Sequence, residues 1–581
     1  MIRNRLFPLA LLAAAGLVAA VRAEVPAAPP SALRLVPTGA ELVFQVPNPS
    51  AAIQAVTRVE AVHKLLALPA IKEALGSTST RRLFQFLAHF EKSLGAQWPD
   101  LVERLAGHGA VVAAQLGDNA PVVLAIQGKD EKLLEKFLAT AIEVAEAELA
   151  RQESKQRVEK GDYHGIPGFK IGDLYVARLG AALVLANKKE AFRKVLDLHR
   201  EGSKQSLADV PALKEAARLL PEKPLVTAWL NMESIQKRPE AQAFYKSPRD
   251  DTIQTILFGG YLDLLGRTPF LCAALASAEN GFLATIRAPR GLEGAGGDRY
   301  LHMPPLEKPA TYPPLQPRNT LYSLSFHLDL ASFWQHRDQL LPTSAAKGLA
   351  AFEKNSGRIL GGVKISTLLE SAGANHRFIV ANQVKRPYQR EPYVKLPAFA
   401  FVSQLREPER FGRAMETLLR TVGLFTTDTF KLELHEEKYA GRDIVAYRFK
   451  EKGEVRDDVN LLRYNFVPCF TRAGNQFILC SNLELCRELL DLVQAEERKA
   501  PSPVPVKAWE YFSSKGLAGY LRDIDDQLIT QTILDQATLP TEARKQVDEL
   551  IDFIAGLGSV RSAVRFQAKT FRYDLHLRLA K

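Results

Sequence analysis

The chain has 581 residues, 76 basic against 65 acidic side chains, a net charge of +11 and four cysteines. Such a length allows about three or four domains; four cysteines are too few for a disulfide scaffold, and none forms a C-x-x-C pair. Acids and bases are interspersed, as in Lys129-Asp130-Glu131-Lys132, so the charge excess reads as solvated surface and disfavours nucleic acid as a partner.

At the N-terminus Arg3 and Arg5 precede an apolar run from Leu6 to Ala20, and Val21-Arg22-Ala23 offers small residues for cleavage before Glu24. Residues 1–23 therefore read as a signal peptide. The run falls short of the roughly 20 residues that span a bilayer core, so the protein is expected to be exported to the periplasm or beyond and soluble after cleavage. The competing reading keeps the segment as an uncleaved membrane anchor. No cysteine follows the run near the cleavage site, which leaves no acceptor for a lipoprotein-type lipid. Residues 1–23 contain three arginines and no acid, so the remainder carries +8.

The rest reads as one pattern written twice. Residues 178–198, RLGAALVLANKKEAFRKVLDL, and 472–492, RAGNQFILCSNLELCRELLDL, are identical at eight of 21 ungapped positions. Each describes a turn, a buried strand and an amphipathic helix. The first unit is expected over 24–290 and the second over 319–581, joined by a Gly/Pro-rich linker, 291–318, that denies regular hydrogen bonding. In chain order each unit opens with an apolar strand, Glu41–Val46 or Thr320–Phe326, followed by helices carrying the phrase Phe-Glu-Lys at Phe90 and Phe352. Paired strands come next, Ala110–Leu116 with Val122–Gln127, and Arg377–Gln383 with Phe399–Gln404. A long amphipathic helix follows, Lys129 to about Lys160 in one unit and from near Glu407 in the other. A small β segment then turns at Tyr163-His164-Gly165 or Tyr439-Ala440-Gly441. After the matched segments come helices, an apolar strand at Leu225–Leu230 or Leu517–Leu521, and closing strand pairs, Pro269–Ala276 with Phe282–Ala288 and Val560–Ala568 with Tyr573–Leu579. The expected class is α+β: two tandem related units, each an antiparallel or mixed sheet with helices packed on one face.

The second unit adds a hairpin insertion, residues 384–395, where the first has only Gly117–Pro121. Lys385, Arg386, Arg390 and Lys395 stand there among Tyr388 and Tyr393, a mixture able to grip phosphate and stack on rings. Lys385, Arg386, Tyr388, Arg390 and Tyr393 are the candidate ligand-binding residues; Pro387 and Pro392 suit an extended connector as the structural alternative.

Catalytic constellations are sparse. Ser344-Ala-Ala-Lys347 has the S-x-x-K spacing of penicillin-binding proteins, but neither K-T-G nor S-D-N follows, and a helix start explains the residues. His435-Glu436-Glu437 and His327-Leu328-Asp329 fit strand edges better than metal ligation, and no H-E-x-x-H occurs. Gly556-Leu557-Gly558 lacks a third glycine, since Arg561 occupies its place, and the Walker lysine motif is absent. Asp523, Asp525 and Asp526 read as an acid-rich helix start. A hairpin centred on Ala473-Gly474-Asn475 places Cys469 nearer Ile478 than Cys480, so buried free thiols are expected. No catalytic residue, metal or cofactor is assigned.

Leu35-Val-Pro-Thr-Gly-Ala-Glu-Leu-Val-Phe44, Ser206-Leu-Ala-Asp-Val-Pro-Ala-Leu-Lys-Glu-Ala-Ala-Arg-Leu-Leu-Pro221 and Leu225-Val-Thr-Ala-Trp-Leu-Asn231 make the first half resemble a bacterial family of exported proteins of unknown function. The second half departs from that pattern at Pro501–Trp509. The resemblance implies an α+β exported protein and carries over no catalytic residue. Together these readings give an exported, non-enzymatic scaffold or binding protein of the cell envelope, its partner an unknown envelope protein or ligand. The alternatives are an envelope-associated serine hydrolase using Ser344 and Lys347, and an anionic-polymer binder using the loop 384–395.

Overall fold

The computed structural model describes residues 31–580, apart from 202–204, 246–247, 298, 304–310, 360–361, 453–457, 459 and 500–505. The expected signal peptide and part of the expected linker lie outside the described residues. The chain divides into two compact units, one of residues 1–235 and 269–288, the other of residues 236–268 and 289–581. Among the described residues, no helix is long and apolar enough to cross a membrane.

Among the described residues the first unit is built on ten strands: β1 (Leu42–Val46), β2 (Ala110–Ala114), β3 (Val122–Gln127), β4 (Val158–Tyr163), β5 (Ile166–Ile171), β6 (Leu174–Leu179), β7 (Ala182–Ala186), β8 (Val226–Asn231), β9 (Phe270–Ala278) and β10 (Gly281–Pro289). Their pairing is antiparallel throughout and runs β4-β5-β6-β7-β3-β2-β1-β8-β9-β10. The second unit carries β11 (Thr320–His327), β12 (Ala372–Ala381), β13 (Ala398–Leu405), β14 (Leu432–Tyr439), β15 (Arg442–Phe449), β16 (Cys469–Ala473), β17 (Gln476–Cys480), β18 (Ala508–Ser513), β19 (Ser559–Phe566) and β20 (Thr570–Arg578). Its antiparallel order is β14-β15-β16-β17-β13-β12-β11-β18-β19-β20, the same succession strand for strand.

The likeness extends to register. Tyr175 pairs with Ala186 and Leu179 with Ala182 across β6–β7, while Cys469 pairs with Cys480 and Ala473 with Gln476 across β16–β17. The turns between β4 and β5 and between β14 and β15 agree too. His164 and Gly165 have φ of 53° and 83°, and Ala440 and Gly441 have 48° and 76°, the two successive left-handed residues a type I′ hairpin turn requires. The outermost strands at this side, β4 and β14, expose most of their side chains.

Helices lie on both faces of each sheet, where one face was expected. Along β7, Ala182, Val184 and Ala186 pack with Phe192, Val195 and Leu196 of the helix Lys189–Glu201. The alternate residues Leu183 and Leu185 face Leu134, Leu138 and Ile142 of the helix Glu131–Arg151. Both sets are apolar, so the strand has no solvent side to mark. In the second unit Ile478 and Cys480 pack with Leu489 and Leu490 of the helix Leu483–Lys499, and Phe470 and Phe477 with Phe411 and Ala414 of the helix Pro408–Phe430. Each fully buried Leu or Phe of these layers contributes roughly 1.5–3 kcal/mol.

Local signals set the helix starts. Asp130 accepts from the Leu133 N–H at 2.9 Å as N-cap of the helix Glu131–Arg151, and Arg104 holds the same carboxylate at 2.6 Å. One expected strand is a helix: Leu517–Leu521 lies within Ser514–Asp523, because Ser513 accepts from the Gly516 N–H and caps it. The strand of that region is β18, immediately before the cap.

Candidate functional site

The insertion 384–395 joins β12 to β13. Its five candidate residues do different things. Arg386 turns inward, donating to the Leu396 carbonyl at 3.1 Å and to Asn465 Oδ1 at 3.3 Å, with Asp523 at 3.5 Å. Tyr388 is 7% exposed; its hydroxyl donates to the Phe466 carbonyl at 3.0 Å and accepts from the Phe449 N–H at 2.9 Å. Burial pushes its phenol up to about 12. The Arg448 guanidinium stands 5.3 Å from the Tyr388 ring centroid and donates to the Pro387 carbonyl at 2.8 Å. Lys385, Arg390 and Tyr393 are exposed, and Tyr393 is fixed through its backbone, which donates to Asn460 and accepts from Gln527. The sequence thus locates the loop, while two of its five residues serve as anchors.

Beside those anchors lies a cleft of about 400 Å3 lined by Tyr388, Arg448, Lys450, Lys452, Glu433 and Glu451. Lys450 stands 3.5 Å from Glu433, and Glu451 accepts from the Gln389 N–H at 3.3 Å. Three cations against two carboxylates line this cleft, with Arg448 over the Tyr388 ring, and such a set can hold an anionic group. A second cleft, of about 490 Å3, sits at the end of the helix Glu131–Arg151 among Glu146, Glu153, Gln156 and Arg157, where acids outnumber the one cation.

Ser344 and Lys347 lie exposed on the first turn of the helix Thr343–Ile359. Asp525 and Asp526 occupy the first turn of the helix Asp525–Gln536, as expected, and Asp523 closes the preceding helix beside Arg386. Glu437 takes both Nε and Nη2 of Arg487, at 2.8 and 2.5 Å, which with His435 nearby holds its carboxyl below the usual range. Asp329 caps the helix Leu330–Leu340 and pairs with Arg406. Against expectation His327 is buried: β11 is an interior strand between β12 and β18, and His327 lies opposite Asn375 while its backbone N–H donates to the Lys507 carbonyl. Among the described residues, no group of three or more His, Cys, Asp or Glu side chains could hold a metal ion.

Two clusters escape the sequence reading. The first surrounds Lys507, whose amine donates to the His327 carbonyl at 3.1 Å and sits 5.7 Å from the Tyr261 ring. Tyr261, on the helix Thr252–Leu265, packs against Phe566 and Phe571. His302 hydrogen-bonds the Thr255 carbonyl at 2.9 Å from the same region. Burial lowers the Lys507 amine to about 7 and, with Lys507 nearby, the His302 imidazole to about 3. A lone lysine between Val506 and Ala508 gave no sign of burial.

The second is a register correction. Cys469 and Cys480 lie directly opposite, because the hairpin turns on two residues, Gly474 and Asn475, with Gly474 at φ 51°, and not on three. All four cysteines are free and buried.

No protein-family model matches this chain, and no curated protein sequence matches it. Among solved structures it is similar to three crystal forms of TP0453. Form I aligns at 12% identity over 46% of this chain and 81% of that one, with a TM-score of 0.24. Form III gives 13%, 47%, 83% and 0.23; form IV gives 11%, 44%, 80% and 0.23.

Proposed function

We propose that this chain is an exported, non-enzymatic binding protein built by duplication of one α+β unit, and that it takes an anionic ligand in the cleft beside Tyr388. The duplication is supported by the common strand order and by the shared register of β6–β7 and β16–β17. One observation carries the binding reading: Arg448, Lys450 and Lys452 line a cleft walled by Tyr388, next to a loop the first unit lacks. Charge-assisted contacts in such a site strengthen as water is excluded. Membership in the exported family whose motifs the first half resembles is part of the same reading.

The test is retention of the full chain on heparin at low ionic strength, falling steeply with salt. The pair Lys450→Glu and Lys452→Glu should elute at markedly lower salt than the parent; no retention of the parent would end the binding reading. Export is tested apart from it: the protein recovered from the cell envelope or medium should begin at Glu24, and recovery inside the cell beginning at Met1 would refute it.

A further inference from the structure

Three of the four cysteines meet in the core of the second unit. Cys469 on β16 and Cys480 on β17 are directly paired, and Cys486, on the first turns of the helix Leu483–Lys499, is buried in the same core cluster. Their exposures are 1%, 3% and 0%. The first unit shows that the scaffold does not require them. At the same register its β6–β7 pair is Tyr175 with Ala186, and the helix that follows contributes Phe192, whose ring stands 5.7 Å from that of Tyr175. One unit fills this point of its core with two rings and a methyl group, the other with three thiols.

We propose that Cys469, Cys480 and Cys486 form a redox site in which Cys469 and Cys480 close a disulfide while Cys486 serves as the exchanging thiol. Directly paired residues on antiparallel strands have Cα atoms about 4.5–5.5 Å apart, inside the roughly 4.4–6.8 Å a disulfide spans. The co-reactant is a small-molecule disulfide, RSSR. The Cys486 thiolate attacks one of its sulfurs, forming Cys486–S–S–R and releasing RS⁻, which takes up the proton Cys486 lost. Cys480 then displaces the second RS⁻, and Cys469 attacks the Cys480 sulfur and expels Cys486 as thiolate, which regains a proton. In sum two cysteine thiols are oxidised, one RSSR is reduced, and two RSH leave. Cys486 is placed for the relay because it shares one buried cluster with the paired Cys469 and Cys480, so each exchange passes between neighbouring cysteines. Burial also means that reagent reaches the cluster only during folding or local opening. Cys272, alone in the first unit's core, is the internal control.

The experiment unfolds and refolds the full chain in oxidised or reduced glutathione, then alkylates under denaturation and maps tryptic peptides. Arg463, Arg472 and Arg487 put Cys469 on residues 464–472 and Cys480 with Cys486 on 473–487. The oxidised sample should show these two peptides linked, with only Cys272 and Cys486 alkylated. The link should persist with slower formation in Cys486→Ser, which leaves Cys480 as the one cysteine of peptide 473–487. Four alkylated cysteines after oxidised refolding, a stable glutathione adduct, or a link to Cys272 would overturn the proposal. So would loss of the link in Cys486→Ser, or a parent link carried by Cys486 with Cys480 alkylated.

Discussion

Replacing Lys507 with methionine should remove a pH dependence that the buried amine imposes on the second unit. The amine is 5% exposed and its pKa falls from 10.5 to about 7, caused by burial. A pKa unit corresponds to about 1.4 kcal/mol, so the protonated amine costs the folded state about 5 kcal/mol relative to the neutral one. The sign follows from proton binding: between pH 7 and 10.5 the unfolded chain holds a proton that the folded chain has released, so stability rises with pH across that window. Below pH 7 the full penalty applies. Methionine fills a similar volume without charge, at a loss of about 1 kcal/mol for the hydrogen bond to the His327 carbonyl. Urea unfolding at pH 6, 8 and 9.5 measures the effect. Lys507→Met should be the more stable protein at pH 6, with a gap that narrows as pH rises and nearly closes by pH 9.5. Parallel curves for the two proteins would refute a buried, depressed amine.

Three further outcomes can be checked. His302, lowered from 6.5 to about 3 by burial, should make stability fall as pH drops from 6.5 toward 3, since the unfolded chain takes up the proton first; His302→Gln should flatten that acid limb. Gly260→Ala would bring a Cβ to 2.5 Å from His302 Cβ, and this overpacking should cost roughly 1–3 kcal/mol in thermal unfolding. Tyr388→Phe leaves the Phe449 N–H and the Phe466 carbonyl without the hydroxyl they share, and should cost roughly 1–3 kcal/mol.

How much of this was legible follows from what each residue reports. The strands Val122–Gln127 and Leu42–Val46 and the closing pair β9–β10 announce themselves as apolar runs between turn residues, and the turns at His164-Gly165 and Ala440-Gly441 by their glycine. The α+β class followed from that succession. Placement of helices did not, because Ala-Leu-Val-Leu-Ala in β7 is apolar on both faces and alternation carries no information there. Gly-Leu-Ala-Gly-Tyr-Leu at 516–521 looks like a strand by hydropathy; the Ser513 cap and Gly516, which lets the helix approach Thr320 and Leu321 of β11 closely, decided otherwise. In the loop 384–395, charge and aromaticity could not tell the anchors Arg386 and Tyr388 from the exposed Lys385, Arg390 and Tyr393, since that depends on Asn465, Asp523 and Phe466 far along the chain. The cations of the cleft, Arg448, Lys450 and Lys452, come from the end of β15 and were never near the loop in sequence.

The exposed character of β4 and β14 has a further consequence. Among the described residues each pairs with one strand only, β5 or β15, leaving a ladder of backbone donors and acceptors at one margin of its sheet, an invitation to accretion of a neighbouring molecule. Val-Glu-Lys-Gly-Asp-Tyr and Leu-Glu-Leu-His-Glu-Glu-Lys-Tyr answer it with solvated charge of both signs, so that docking a foreign segment there would strip water from several ions at once. Removing those ions, for instance with Glu436→Val and Lys438→Thr together, should leave the chain folded yet turn it toward fibrous self-association at high concentration.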